Sequence, residues 1–403
     1  MIRNYITGSA VCFYLLVNLT GGICHAVDIE VVKPGAGKIT VSLSGWDVTG
    51  EDGRIFVSTL REDLQRSGWF NPVPSGGAIQ VDGSLEAAGG GLRARLNVVH
   101  SASGRSYLSK RLRDDSTDPR RLAHQAADEI VMAVKGLPGI AATRIAMVGN
   151  IDGRKDIYVC DYDGRNLVRL TDRGAVCLSP TWTPDASALL FTSFHGGFPD
   201  VYMLEFDRQI QRRVAAFPGI NAGASVSPDG RNLALALSKD GSPDIYTIDM
   251  RNNATRRITA TRFAEASPSW SPDGRQLAFV SDRTGRPQVY VINLHDGSER
   301  RISFQGRENV APDWGPDGRI VYSSRRDGRY QICIWSPDGA TEQLTSGNAD
   351  YEDPSWAPNG RHIVCSRTVN FRSEIYILDS LGDDPVRLSA WRGEWYSPAW
   401  SPR

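Results

Sequence analysis

The sequence has no G-x-S-x-G nucleophile elbow, no histidine pair at metal-ligand spacing and no C-x-x-C. The first absence removes the serine-hydrolase chemistry of α/β-hydrolases. The six histidines, at 25, 100, 124, 195, 295 and 362, are too dispersed to announce a metal site, and none is expected. Net charge of one sign is also missing: 46 lysines and arginines balance 46 aspartates and glutamates, so no long-range field favours nucleic acid or an anionic membrane. No long apolar run occurs; the stretch from Ala10 to Leu19 is about half of what a bilayer-spanning helix needs. "GAGKIT" at 35–40 lacks the glycine spacing of a phosphate loop and reads as a turn into a strand. "DYDG" at 161–164 lacks a third acidic ligand at the next odd position and reads as a hairpin turn. No cofactor and no catalytic residues are expected.

Residues 1–26 carry one positive charge at Arg3, a short apolar stretch and small residues ending at Ala26, the pattern of a secretory signal peptide. Ile23 is bulky where a lipoprotein signal places a small residue before its cysteine, so cleavage after Ala26 is expected rather than lipidation of Cys24. An exported chain would retain Cys160, Cys177, Cys333 and Cys365. Cys333 and Cys365 occupy repeat positions held elsewhere by Tyr and Phe, which points to buried thiols acting as small apolar residues. Cys160 with Cys177 is the alternative disulfide.

What the chain has in abundance is glycine, tryptophan and a period. The second proline of an S-P-x-W-x-P-D-G motif falls at 184, 228, 272, 316, 358 and 402, spaced by 44, 44, 44, 42 and 44 residues. Each unit reads as four short strands. In the copy "SPSWSPDGRQLAFVSDRTGRPQVYVINLHDGSERRIS", the P-D-G turn follows the first strand, and a continuous apolar run marks a second strand covered on both faces. Such a sheet cannot bury both faces alone, but packing against identical neighbours around an axis does so. The tryptophans at 182, 270, 314, 356 and 400 are assigned to packing between units, and Val226 stands where the second copy would carry one.

The segment from Thr143 to Thr171 has three strands and no W-x-P-D opening, whereas the terminal "SPAWSPR" is an opening without a unit. The two ends complete each other. The expected architecture is therefore an α/β N-terminal domain plus an all-β six-bladed β-propeller, its ring closed by the C-terminal strand. The expected division is signal peptide 1–26, α/β domain with an N-terminal arm 27–137, linker 138–142 and propeller 143–403.

In the α/β domain, Thr49 and Asp52 form a capping box before Phe56, Leu60 and Leu64, and Gly68 ends that helix. Asp118 and Pro119 start a second helix that stacks Leu122, Ala126, Ile130 and Val134 and ends at Gly136. Before them, the alternation in Val27, Asp28, Ile29, Glu30, Val31 and Val32 suits either a strand that adds to a sheet edge or a first strand of the domain.

The segments joining one unit to the next converge on one mouth of the channel and vary while the framework repeats, which is where binding specificity resides on such scaffolds. They carry Ile220, Phe263, Tyr351, Trp395 and Tyr396 among Arg262, Arg307, Glu265, Glu308 and Glu352, a mixture suited to a protein or peptide partner. The acids at 156, 200, 244 and 374 recur too far from the axis to line the channel, and local turn hydrogen bonds are expected to hold them. An enzyme of lyase or dehydrogenase type acting in the channel is the alternative reading, but the mouth offers no histidine.

An exported chain with "LREDLQRSGWFNPV", W-x-P-D-G units, "FPGINAGASVSPDGRNLALALSKDGS" and a terminal "PAWSP" resembles the TolB family of the Tol-Pal system. The resemblance implies a monomeric, periplasmic adaptor without catalysis. Its propeller mouth would bind the peptidoglycan-associated lipoprotein Pal, its arm, Val27 to Val32, would engage TolA, and the machine would support outer-membrane integrity and cell division. It also implies mouth roles for Asn221, Ser303 and Glu352. Ile220 stands where the family can carry histidine, and the α/β domain is shorter than usual.

Overall fold

The computed structural model describes residues 37–47, 50–172 and 174–403. The signal segment, the arm Val27–Val32 and the capping residue Thr49 lie outside the described residues.

The small domain is a sheet covered by two helices. Its strands are β1 (Ile39–Ser42), β2 (Trp46–Asp47), β3 (Phe70–Val73), β4 (Ile79–Ala88), β5 (Gly91–His100) and β6 (Ser106–Asp114), in spatial order β3-β1-β4-β5-β6 with β2 beside β4. β1 pairs in parallel with both β3 and β4. Helix α1 (Gly50–Arg66) buries Phe56, Leu60 and Leu64 completely, as its spacing predicts. Helix α2 (Pro119–Lys135) starts where the Asp118 carboxylate accepts from the Arg120 N–H and stops where Gly136 turns left-handed at φ 69°.

The remainder is a ring of six four-stranded antiparallel sheets. Five are continuous in sequence. The sixth takes its innermost strand, Glu394–Trp400, from the far end of the chain and pairs it with Arg144–Ile151, with Trp395 opposite Gly149 and Trp400 opposite Ile145. Trp182, Trp270, Trp356 and Trp400 are buried and Trp314 half-buried, in the packing role assigned to them. Trp182 and Trp270 donate from Nε1 to a backbone carbonyl of the preceding unit's inner strand, Ala399 and Ser225 respectively, so each tryptophan both fills and pins a seam. All four described cysteines are buried free thiols, and Cys160 and Cys177 are not paired.

Every innermost strand carries a bulge at the same repeat position: Ser179, Gly223, Ser267, Ala311, Asp353 and Ser397 all have φ between 44° and 65°. These residues and the ones following them line the central channel, a cavity of about 190 Å³ walled by serine, proline, alanine, glycine, threonine and two aspartates.

The small domain sits on the end of the ring that carries the P-D-G turns. Arg361, in the equivalent N-G-R turn of the fifth unit, lies 4.2 Å over the Trp69 ring and pairs with Asp379, while Lys38 reaches Asp383 at 2.7 Å. The connecting residues Ile140 and Ala141 are buried, and the N–H groups of Ala141 and Ala142 donate to Asp128 of α2. One hydrophobic cluster runs from Phe56 and Leu122 to Trp395 and Trp400, so the two parts share a core.

Candidate functional site: the open mouth of the propeller

In an antiparallel four-stranded unit, the loop leaving the second strand and the loop leaving the fourth open at the same end. That end faces away from the small domain. It bears Ile220, Arg262, Phe263, Phe304, Arg307 and Glu308 on the connections between units, together with Phe194 and Phe198 from the first unit and Phe371 from the fifth.

Six of the expected mouth residues belong to the frame. Asn221, Glu265, Tyr351 and Trp395 share one repeat position, first or second in their inner strands, and all four are buried. The expectation that Tyr351 and Trp395 face the opening is corrected: in a propeller the side chains of the inner strand alternate between neighbouring blades, so this position points into a seam. Trp395 packs edge-on against Tyr158 at 5.1 Å and beside Trp391 at 4.9 Å. The Tyr351 hydroxyl accepts from Arg367 Nε at 3.0 Å. Asn221 folds its own loop back, accepting from the Phe217 N–H and donating to the Phe217 carbonyl. Glu265 accepts from Arg283, Ser281 and Thr261. Ser303 is fully buried; its hydroxyl accepts from the Val289 N–H and donates to Gln288. Tyr396 is half-buried and donates to Glu394 at 2.7 Å.

Ser303 belongs to a repeated device. Thr171, Thr259 and Thr345 receive the backbone N–H of the third strand in the same way. The acids at 156, 200, 244 and 374 belong to it too, and their expected local turn bonds are replaced by pairing across strands. Each takes an arginine thirteen residues on: Arg169, Arg213, Arg257 and Arg387. Gln288 takes Arg301 likewise.

The groups left to meet a partner are Ile220, Arg262 and Arg307, which are exposed, and Phe263, Glu308 and Glu352, which are half-buried. Arg262 lies 5.1 Å over the Phe263 ring. Glu308 is held by Tyr330 at 2.8 Å and by Arg325. Burial, reinforced by the charges of Asp353 and Asp350, pushes Glu352 up to about 7. In the channel below, burial pushes Asp313 up to about 6 despite the N–H of Trp356 donating to it.

Sequence reasoning missed the most exposed apolar groups. Phe371 is 94% exposed, Phe304 73% and Phe198 69%. Phe371 left a trace: with Asn370 it forms a two-residue hairpin tip with both φ positive, a place where a large apolar side chain has no structural use. A further concavity of about 530 Å³ lies elsewhere, between α1 and the fifth unit, on the small-domain side.

A ring of six four-stranded units carrying exposed aromatic and arginine side chains at its open end, over a channel lined by small residues, defines a six-bladed β-propeller. Residues 132–403 match the family model described as the TolB beta propeller domain, and the chain belongs to that family. It is 35% identical to the Tol-Pal system protein TolB of Bordetella avium over 222 residues, 49% of each chain. It is 34% identical to the Protein TolB homolog of Chlorobium chlorochromatii over 124 residues, 31% of this chain and 28% of that one. The match spans about half the length of these curated relatives or less. The crystal structure of TolB from Acinetobacter baumannii superposes with a TM-score of 0.81 at 25% identity, covering 91% of this chain and 97% of that one.

Proposed function

We propose that this chain is a non-enzymatic adaptor of a Tol-Pal type system, working in the periplasm. Its propeller mouth receives a Pal-like, peptidoglycan-associated lipoprotein, and Val27–Val32 engages a TolA-like inner-membrane protein. The assembly supports outer-membrane integrity and cell division.

The observation that carries this reading is the rim of Phe198, Ile220, Phe304 and Phe371 with Arg262 and Arg307, all exposed at the end of the ring left uncovered by the small domain. Aromatic and arginine side chains are the groups that dominate protein interfaces, and single exposed apolar residues elsewhere need no such account. Family membership supports the same reading. Among the described residues no histidine lines the channel, and its walls are mostly serine, proline and alanine, which suits a scaffold better than an active site.

The test is titration of the purified full chain with the soluble domain of a Pal-like lipoprotein, with and without alanine at Phe304 and Arg307. Saturable binding that the double variant weakens is the expected result. Equal affinity of both proteins would remove the mouth from the reading.

A further inference from the structure

His124 is in an unusual position for a buried histidine. It lies on α2, is 5% exposed, and its Nε2 has no hydrogen-bond partner. Leaving a buried polar atom unmatched is costly, and such atoms call for an explanation. The other ring nitrogen is fully committed, because Nδ1 lies 2.7 Å from Asp63 Oδ2. An ionised carboxylate can only accept, so Nδ1 carries a proton, and Nε2 presents a lone pair whenever the ring is neutral, the form that metal binding selects by displacing the second proton. Tyr162 donates its hydroxyl to the other oxygen of Asp63, fixing that carboxylate from the propeller side.

Facing this imidazole is the hairpin turn 161–164 of the closing unit. Ligand atoms of His124, Asp161 and Asp163 all lie within 4.8 Å of one another. Asp161 has one oxygen occupied by Asn166 at 2.7 Å, and Asp163 accepts from the Arg165 N–H and from Arg120. A carboxylate offers about four lone-pair directions, so both retain capacity. Asp63, Asp161 and Asp163 thus gather around one imidazole, with the half-buried Arg120 paired to Asp163 beside them.

We propose that His124 Nε2 and the carboxylates of Asp161 and Asp163 form a site for a divalent transition-metal ion of the zinc class, joining the small domain to the propeller. One imidazole nitrogen with two carboxylates is a borderline donor set, suited to zinc and its neighbours, whereas calcium asks for six to eight oxygens. Metal–ligand distances of about 2.0–2.2 Å place ligand atoms within roughly 4 Å of each other, which side-chain rotation achieves from the present spread. Asp63 supplies the outer carboxylate that orients a metal-bound histidine. A fourth position is left for water. The ion acts as a clasp between α2 and the turn, and the sequence hides it because His124 and the two aspartates have no ligand spacing.

The experiment uses the full chain, stripped with chelator and titrated with Zn²⁺ by calorimetry, with thermal unfolding recorded at each step and Co²⁺ substitution read by its visible absorption. The expected result is one Zn²⁺ per chain and a rise in melting temperature of several degrees. Asp161→Asn and His124→Gln should each abolish the rise, and Asp161→Asn, an isosteric change at a half-buried turn position, should keep the metal-free melting temperature of the parent. Absence of binding, binding unchanged in both variants, or an equal rise with Ca²⁺ would each overturn the proposal.

Discussion

Trp400 donates its indole N–H to Thr143 Oγ1 at 2.8 Å, joining residues 257 positions apart in the chain. Beside this bond, the Arg144 N–H donates to Ser401 Oγ and the Ser401 N–H to the Arg144 carbonyl. Removal of residues 397–403 is therefore expected to lower the melting temperature by several degrees. Trp400→Ala should cost about 3 to 5 kcal/mol in urea unfolding, the range for losing a buried large aromatic.

The same seam depends on a glycine. A Cβ at Gly149 would fall 2.6 Å from the Trp395 ring and 2.8 Å from Tyr158, and both rings are enclosed. Gly149→Ala is expected to destabilise by about 1 to 3 kcal/mol through overpacking, read from the unfolding midpoint.

At the mouth, exposure separates contact from support. Phe304→Ala and Arg307→Ala should each weaken lipoprotein binding by roughly tenfold while leaving stability within about 0.5 kcal/mol. Tyr351→Ala should instead lower stability, because Tyr351 is buried and holds Arg367. Paired affinity and melting measurements on the three variants make the distinction.

Acid should loosen the junction through His362. Burial pushes its imidazole down to about 4, below the ordinary 6.5. A base whose folded value is depressed contributes stability that is complete above about 6.5 and is lost as pH falls from there toward 4. Asp128 and Asp313, raised to about 6, act in the opposite sense, so the comparison must be differential. Chemical unfolding of the parent and of His362→Gln between pH 7.5 and 4.5 is expected to show a steeper acid loss in the parent.

Much of this molecule was legible because repetition multiplies the signal. Six prolines at near-constant spacing gave the units, and a motif without a unit matched a unit without a motif. Helix ends were legible where capping is local, as at Asp118 and Gly136. Strand β3 was not, since "FNPV" has neither alternation nor length; what makes it a strand is parallel pairing with β1 from outside its own sequence. Direction was the main loss at the mouth. Tyr351 and Trp395 lie toward the mouth end of their strands but turn inward, because a bulge and the blade geometry, rather than loop position, decide where a side chain points. The polar knot of Asp63, His124, Tyr162 and Asp163 spans a hundred residues and leaves no spacing to recognise.

The tied ends also make an incomplete chain conspicuous. Any nascent or clipped product ending before Glu394 leaves the backbone edge of Ile145–Asn150 without its neighbour, and an open edge of that kind invites proteolysis or association with other chains.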